Sequence, residues 1–318
     1  MSQKEITEDN QKKFMNPYTD FGFKKLFGTE PNKDILISFL NAVFQGRRGN
    51  IVDLSYLNTE MLGPYYGDRN SVFDVYCSTE DDGHFIVEMQ RSEQSYFKDR
   101  TLYYASAAVV KQAPKGQWDY HLSEVCVIGI LNFKFPGQEY EDDSFLHVVK
   151  LNDQKDHHVF YDKLTFYYIE MPKFNKKEDE LATMLDKWLY VVKNICYLSE
   201  QPKELREQVI SKFFEEARIA MLTPEERFAY EESQKHYWDN LNTIAFSYEK
   251  GEIAGIAKGK ELGLAEGKKL GLAEGKELGL AEGEAKANKA TAQKMLSAGM
   301  SKEAIMEMTG WSEEVFSS

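Results

Sequence analysis

Alternation of apolar and polar positions lays out the centre of this chain. Residues 71–77, SVFDVYC, and 84–90, HFIVEMQ, both run with period two, as half-buried strands do. Glu80-Asp81-Asp82-Gly83 between them is turn chemistry: short acidic side chains bond their own backbone, and Gly accepts positive φ. A turn centred on Asp81 predicts that Asp74 lies directly across from Glu88. Residues 125–133, VCVIGILNF, are almost continuously apolar, the pattern of a strand buried on both faces. Further strands are expected over 51–62, stopped by Gly63-Pro64, and over 145–151 and 164–169.

Spacings of three and four predict the helices. One covers 35–46, opened by Pro31-Asn32-Lys33-Asp34 and closed by Gly46. A second covers 93–112, with Tyr96, Arg100, Tyr103, Tyr104, Ala107 and Lys111 along one side and Leu102, Ala105, Ala108 and Val109 on the other; Pro114-Lys115-Gly116 breaks it. A third covers 177–198, with an apolar stripe of Leu181, Met184, Leu185, Trp188, Leu189, Val192 and Ile195. A fourth covers 202–222. Thr223-Pro224-Glu225-Glu226 then opens another, with Thr as N-cap and acids in the first turn, expected to run through Tyr248. The first elements therefore follow the order αβββαβ, a mixed sheet flanked by helices.

Past residue 250 the pattern changes. Residues 255–286 are four copies of an eight-residue unit, and Gly recurs at every fourth position from Gly251 to Gly283. Ala, Leu, Glu and Lys between them favour a helix, while each Gly costs about 1 kcal/mol. Four residues turn an ideal helix by about 400°, so the glycine stripe winds around it. A helical, self-associating extension is expected. The closing block resembles a helix-turn-helix fragment: Gly299 stops one helix, Ser301 caps the next, and Thr309-Gly310-Trp311-Ser312 turns into a third. That last helix is short and acidic, which favours packing over DNA reading.

Composition narrows the classes. The chain has 318 residues, is 42 % apolar and carries a net charge of −13. It is long enough for a sizeable core, and non-specific affinity for nucleic acid from charge alone should be modest. Cys77, Cys126 and Cys196 are far apart, which fits a reducing compartment. The polar N-terminus is not a signal peptide, and no apolar run suits a membrane span. A cytoplasmic protein is expected.

The candidate chemistry sits on the hairpin. Like charges directly opposite on a sheet repel, and the economical reason to place Asp74 against Glu88, with Gln90 alongside, is a hard divalent cation. An amphipathic hairpin with a wet face is the plainer alternative. Asp20, with Lys24 nearby, lies on the first apolar block, either as a helix N-cap or as a further acidic contributor. Arg100, between Tyr96 and Tyr104, can face a phosphate or simply be solvated. The acidic loop over 138–143 reads as solvated, and His157-His158 as a surface pair with no partner at metal spacing.

Several blocks in order carry a resemblance: DFGFKKLFG, the FDVYC…FIVEMQ pair, KDRTLYYASAAVVKQ and FYYIEMPKFNKKEDELATMLDKWLYVVK. The chain resembles the PD-(D/E)XK nuclease superfamily and, more narrowly, the Rpn family of recombination-promoting nucleases and transposase-like proteins, over roughly residues 16–240. That resemblance implies an α/β restriction-endonuclease-like αβββαβ core. It also implies a DNA endonuclease using Mg²⁺ or Mn²⁺, with Asp74 and Glu88 as metal ligands, associated with recombination, mobile elements or phage defence. Asp74, Glu88, Gln90 and Asp20 are then the catalytic candidates, and Lys24, Arg100 and Tyr104 the substrate-binding ones. Gln90 falls where the superfamily most often has Lys, a form shared by Rpn-like relatives, and the general base is left unassigned. The alternative is a catalytically weak nuclease fold kept for DNA binding or self-assembly. Expected organisation is a tail over 1–15, the nuclease-like core over 16–172, a helical extension over 173–250, the repeats over 251–287 and a small helical cap over 288–318. DNA and further copies of the chain are the expected partners.

Overall fold

The computed structural model of the chain describes residues 13–61, 71–113, 116, 118–137 and 142–316. Most of the expected tail, the Gly63-Pro64 stop, the Pro114-Lys115 break and most of the 138–143 loop lie outside the described residues. The chain divides into two units, Met1–Leu241 and Asn242–Ser318.

In the first unit, helices α1 (Asp20–Phe27) and α2 (Lys33–Phe44) precede strand β1 (Leu54–Tyr56). The strand expected over 51–62 is two pieces, because β2 (Glu60–Met61) leaves the main sheet to pair with β3 (Ser71–Val72). Then come β4 (Val75–Thr79), β5 (His84–Gln90), helix α3 (Phe97–Lys111), β6 (Val125–Leu131), β7 (Leu146–Asn152) and β8 (Val159–Glu170). Helices α4 (Met184–Asn194) and α5 (Gln208–Glu216) follow, and α6 (Pro224–Ser297) begins in this unit. The main sheet has the order β1-β4-β5-β6-β8-β7. Strands β5, β6 and β8 run parallel, and the outer pairings are antiparallel. Helix α3 supplies the crossover that parallel β5 and β6 require.

Both faces of the sheet are covered. Val75, Cys77, Phe85, Val87, Ile128 and Ile169 join the core built with α1, α2, α4 and α5 around Trp188, Phe27 and Phe39. Tyr76, Ile86, Val127, Phe166 and Tyr168 face the other way, toward Phe97, Ala105 and Ala108 of α3. Burial on both sides explains why β6 is apolar without alternation.

Several helices depart from the expected bounds. Helix α3 starts at Phe97 rather than 93, because Tyr96 takes the left-handed conformation (φ 62°, ψ 27°). The Phe97 amide closes a turn onto the Gln94 carbonyl. Leu102 is 52 % exposed, so Thr101 takes the buried position that the apolar pattern assigns to Leu102. The expected 177–198 and 202–222 helices shorten to α4 and α5, flanked by 3₁₀ turns. Thr183 and Asp186 form a capping box that fixes the start of α4. Helix α2 ends on left-handed Gln45, one residue before Gly46.

Helix α6 opens as expected: Thr223 Oγ1 accepts the Glu226 amide and Glu226 returns a bond to the Thr223 amide. Its first part packs into the first unit, where the Tyr230 hydroxyl accepts the Asn16 amide at 2.8 Å. The helix does not end near Tyr248 but continues to Ser297. The residues between glycines are the best helix formers, and no Pro follows Pro224 to stop the run. In the second unit α6 ends before Gly299 (φ 91°), Ser301 caps α7 (Lys302–Thr309), and Gly310 closes it with φ 69°. Among the described residues no helix is long and apolar enough to cross a membrane.

Candidate active site

The β4–β5 hairpin pairs Val75 with Val87 and Tyr76 with Ile86. One more step along this register sets Asp74 opposite Glu88, at the end of β5 that carries Gln90. Two hydrogen bonds lock the pair. The Asp74 amide donates to Glu88 Oε1 at 3.2 Å, and the Met89 amide donates to Asp74 Oδ2 at 2.8 Å. Gln90 Nε2 reaches Glu88 Oε2 at 3.4 Å, so the amide steadies the second carboxylate oxygen.

The two acids are poorly solvated. Glu88 is only 4 % exposed. Burial, joined by the charge of Asp74, pushes the Glu88 carboxyl up to about 8; the Asp74 amide, Arg100 and Gln90 pull against this. Burial likewise raises Asp74, and Asp20 adds to the rise. The Met89 amide, Lys24 and Arg91 oppose it. Two enclosed carboxylates that disfavour their own charge are a donor set suited to a hard divalent cation.

Helix α3 brings in Arg100 and Tyr104. Arg100 Nη1 donates to Gln94 Oε1 at 2.6 Å, and its guanidinium lies 5.7 Å from the Tyr104 ring centre. Its Nε is enclosed with no hydrogen-bond acceptor. A cation beside Glu88, with a donor left without an acceptor, suits a phosphate oxygen. The Tyr104 hydroxyl is raised by burial and then by the charge of Glu88, which places it at the same locus.

On α1, Thr19 is the N-cap: its Oγ1 accepts the Gly22 amide at 3.0 Å. That corrects the N-cap alternative for Asp20, which is the first helical residue. Asp20 is exposed and pairs with Lys24 at 3.0 Å. Both act on Asp74 through space, so α1 borders the site. Arg91, which follows Gln90, also acts on Asp74. Sequence reading missed it; its adjacency to Gln90 was the available signal.

A second acidic group lies elsewhere. Asp153, Asp156 and His158, in the β7–β8 connection, bring ligand atoms within 4.8 Å of one another. This corrects the expectation that His158 has no neighbours at metal spacing. All three are exposed, and their oxygens already serve the loop: Asp153 accepts the Lys155 amide, and Asp156 accepts the His158 amide and pairs with its ring.

No curated protein and no solved structure matches the chain. One family model does, PD-(D/E)XK nuclease family transposase, over residues 17–247. That span covers most of the chain and holds the entire sheet, the Asp74–Glu88 pair and α3, and this protein therefore belongs to the PD-(D/E)XK nuclease family transposases.

Proposed function

We propose that the chain is a divalent-metal-dependent DNA endonuclease whose metal, Mg²⁺ or Mn²⁺, is held by Asp74 and Glu88. The observation that carries this reading is the pair itself: two mutually braced carboxylates, Glu88 buried and Asp74 half-buried, with an arginine donor left without an acceptor beside Glu88. When bound there, a divalent ion supplies Lewis acidity toward a phosphate oxygen and lowers the pKa of a coordinated water.

The chain's own groups have separable tasks. Asp74 and Glu88 give up the neutral form that burial favours and bind as anions. Arg100 turns its guanidinium to a non-bridging phosphate oxygen, and Lys24 and Arg91 add positive field near Asp74. Gln90, fixed by Glu88, offers a neutral amide for orienting water or phosphate, where a Lys would offer charge. Asp20 stands at the rim as a further acid. Hydrolysis then adds water across one P–O bond, giving a phosphate monoester and a free hydroxyl. The biological setting follows the family: recombination, mobile elements or phage defence. A cytoplasmic location and self-association through residues 251–287 belong to the same reading.

One observation favours a second reading. Gln90 is neutral and already engaged by Glu88, so it supplies no base and the general base is left unassigned. A weakly catalytic fold that binds DNA or self-assembles fits that feature. Nicking of supercoiled plasmid in Mg²⁺ decides between them. The enzyme reading expects wild type to nick, and Asp74→Ala and Glu88→Ala to stop nicking without loss of fold. Intact plasmid in both Mg²⁺ and Mn²⁺ would favour the binding module, and activity surviving both substitutions would remove the pair from catalysis.

A further inference from the structure

We propose that DNA reaches this site as an unpaired strand, with bases flanking the scissile phosphate stacked on Tyr96 and Tyr103. This rests on the nuclease reading above. Tyr96 is 79 % exposed and Tyr103 51 % exposed. Tyr103 stands three residues on from Arg100 on α3, beside Tyr104, and Tyr96 is the left-handed residue that precedes the helix. The Arg100 amide donates to the Tyr96 carbonyl at 2.9 Å, so the first ring is tied by backbone to the phosphate-binding arginine. Tyr103 lies 6.5 Å from Tyr104, ring centre to ring centre, and Tyr104 feels both carboxylates. Aromatic surface thus runs from the carboxylate pair outward along the helix, with Arg100 beside it.

Electrostatics argues against a duplex. Proteins that hold duplex DNA through its backbone neutralise roughly six to ten phosphates. Here the chain carries −13 overall, and the charges acting on the two carboxylates include Lys24, Arg91 and Arg100. Lys24 is already paired with Asp20. The net negative charge gives little general backbone grip. Stacking supplies affinity without charge, and it needs base faces that a duplex keeps covered. Arg100, whose Nε lacks an acceptor, is the cation that would meet one phosphate of that strand.

The test is binding of a fluorescein-labelled dT 12-mer and of a 12-base-pair duplex to the full chain in EDTA, followed by anisotropy. The single strand is expected to bind at least about tenfold more tightly than the duplex. Tyr103→Ala and Tyr96→Ala should each weaken single-strand binding about tenfold, and Tyr103→Phe, which keeps the ring, should not. The single-strand salt slope should be shallow, about −1.4, if Arg91 and Arg100 each meet one phosphate. Equal or tighter duplex binding, or single-strand binding indifferent to both alanine variants, overturns the proposal. Cleavage of plasmid and of a circular single strand in Mg²⁺, run in parallel, reports on the enzyme reading separately, and nicking means a cut in either. Ring-dependent strand binding without nicking sinks that reading alone, and nicking with ring-independent binding sinks this one alone.

Discussion

Thr101 on α3 and Tyr168 on β8 share a 2.7 Å hydrogen bond between their hydroxyls inside the protein. The bond is possible because the strand between β5 and β8 carries Gly129 at the level of Glu88 and Tyr168. A methyl group on Gly129 would come within 3.0 Å of Tyr168 Cδ1 and 3.4 Å of Leu131 Cδ2. The bare position lets the tyrosine lie across β6 and tie down the helix that carries Arg100.

Gly129→Ala is therefore expected to destabilise the chain by about 1–3 kcal/mol, because the Tyr168 ring, packed against Phe97, Phe135 and Phe166, must shift to admit the methyl. Tyr168→Phe should cost about 1 kcal/mol for the lost bond. Urea unfolding measures both, and an alanine variant as stable as wild type would show that the ring is free to give way.

The buried Glu88 carboxyl makes a statement about pH. Its folded-state pKa, near 8, lies above its value in the unfolded chain, so folding favours the proton. Below the ordinary glutamate range both states are protonated and nothing is lost. As pH climbs through the interval up to about 8, the unfolded chain ionises first and the folded chain loses stability. In EDTA, Glu88→Gln should therefore gain on wild type steadily between pH 5 and pH 8 in urea midpoints. A constant gap across that interval would contradict the assignment. Divalent metal binding at neutral pH should in turn release protons, which titration calorimetry in buffers of differing ionisation enthalpy detects.

Arg100 is expected to act on substrate and not on fold. Arg100→Ala should lower kcat/KM for DNA cleavage by about 10- to 100-fold, the loss of one charge-assisted phosphate contact. Arg100→Lys should recover only part of it, since an ammonium lacks the Nε–H of the fork. Full recovery with lysine would reduce the contact to charge alone.

The glycines of the second unit predict a gain. A Cβ on Gly259, Gly267 or Gly275 would meet nothing within 4 Å. Each Gly→Ala there should stabilise the helix by about 0.5–1 kcal/mol, read as higher thermal persistence of far-ultraviolet circular dichroism. No gain would mean that the glycines face a neighbour in solution.

The hairpin was legible in the sequence because strand arithmetic is rigid: with the turn on Asp81, position 74 can only face position 88. The αβββαβ order was legible for the same reason, through period two, period 3.6 and one doubly buried run. The start of α3 was not, since Glu93 and Gln94 are good helix formers and only the left-handed Tyr96 displaces the boundary. The burial of Thr101 in place of Leu102 was hidden too: its hydroxyl finds Tyr168, a residue 67 positions away. The continuity of α6 past Tyr248 was hidden as well, because a glycine at every fourth position costs a helix about 1 kcal/mol each while the residues between are its best formers.

That long helix has a consequence for how such a chain can vary. Its repeats are eight residues long, and an α-helix rises about 1.5 Å and turns about 100° per residue. Gain or loss of one copy changes the helix by about 12 Å and rotates everything after it by about 80°. The second unit can thus be lengthened only in fixed increments, each reorienting the cap at Lys302–Thr309 about the helix axis. A set of chains differing only in copy number would present that cap at discrete heights and headings, a ruler with a built-in compass.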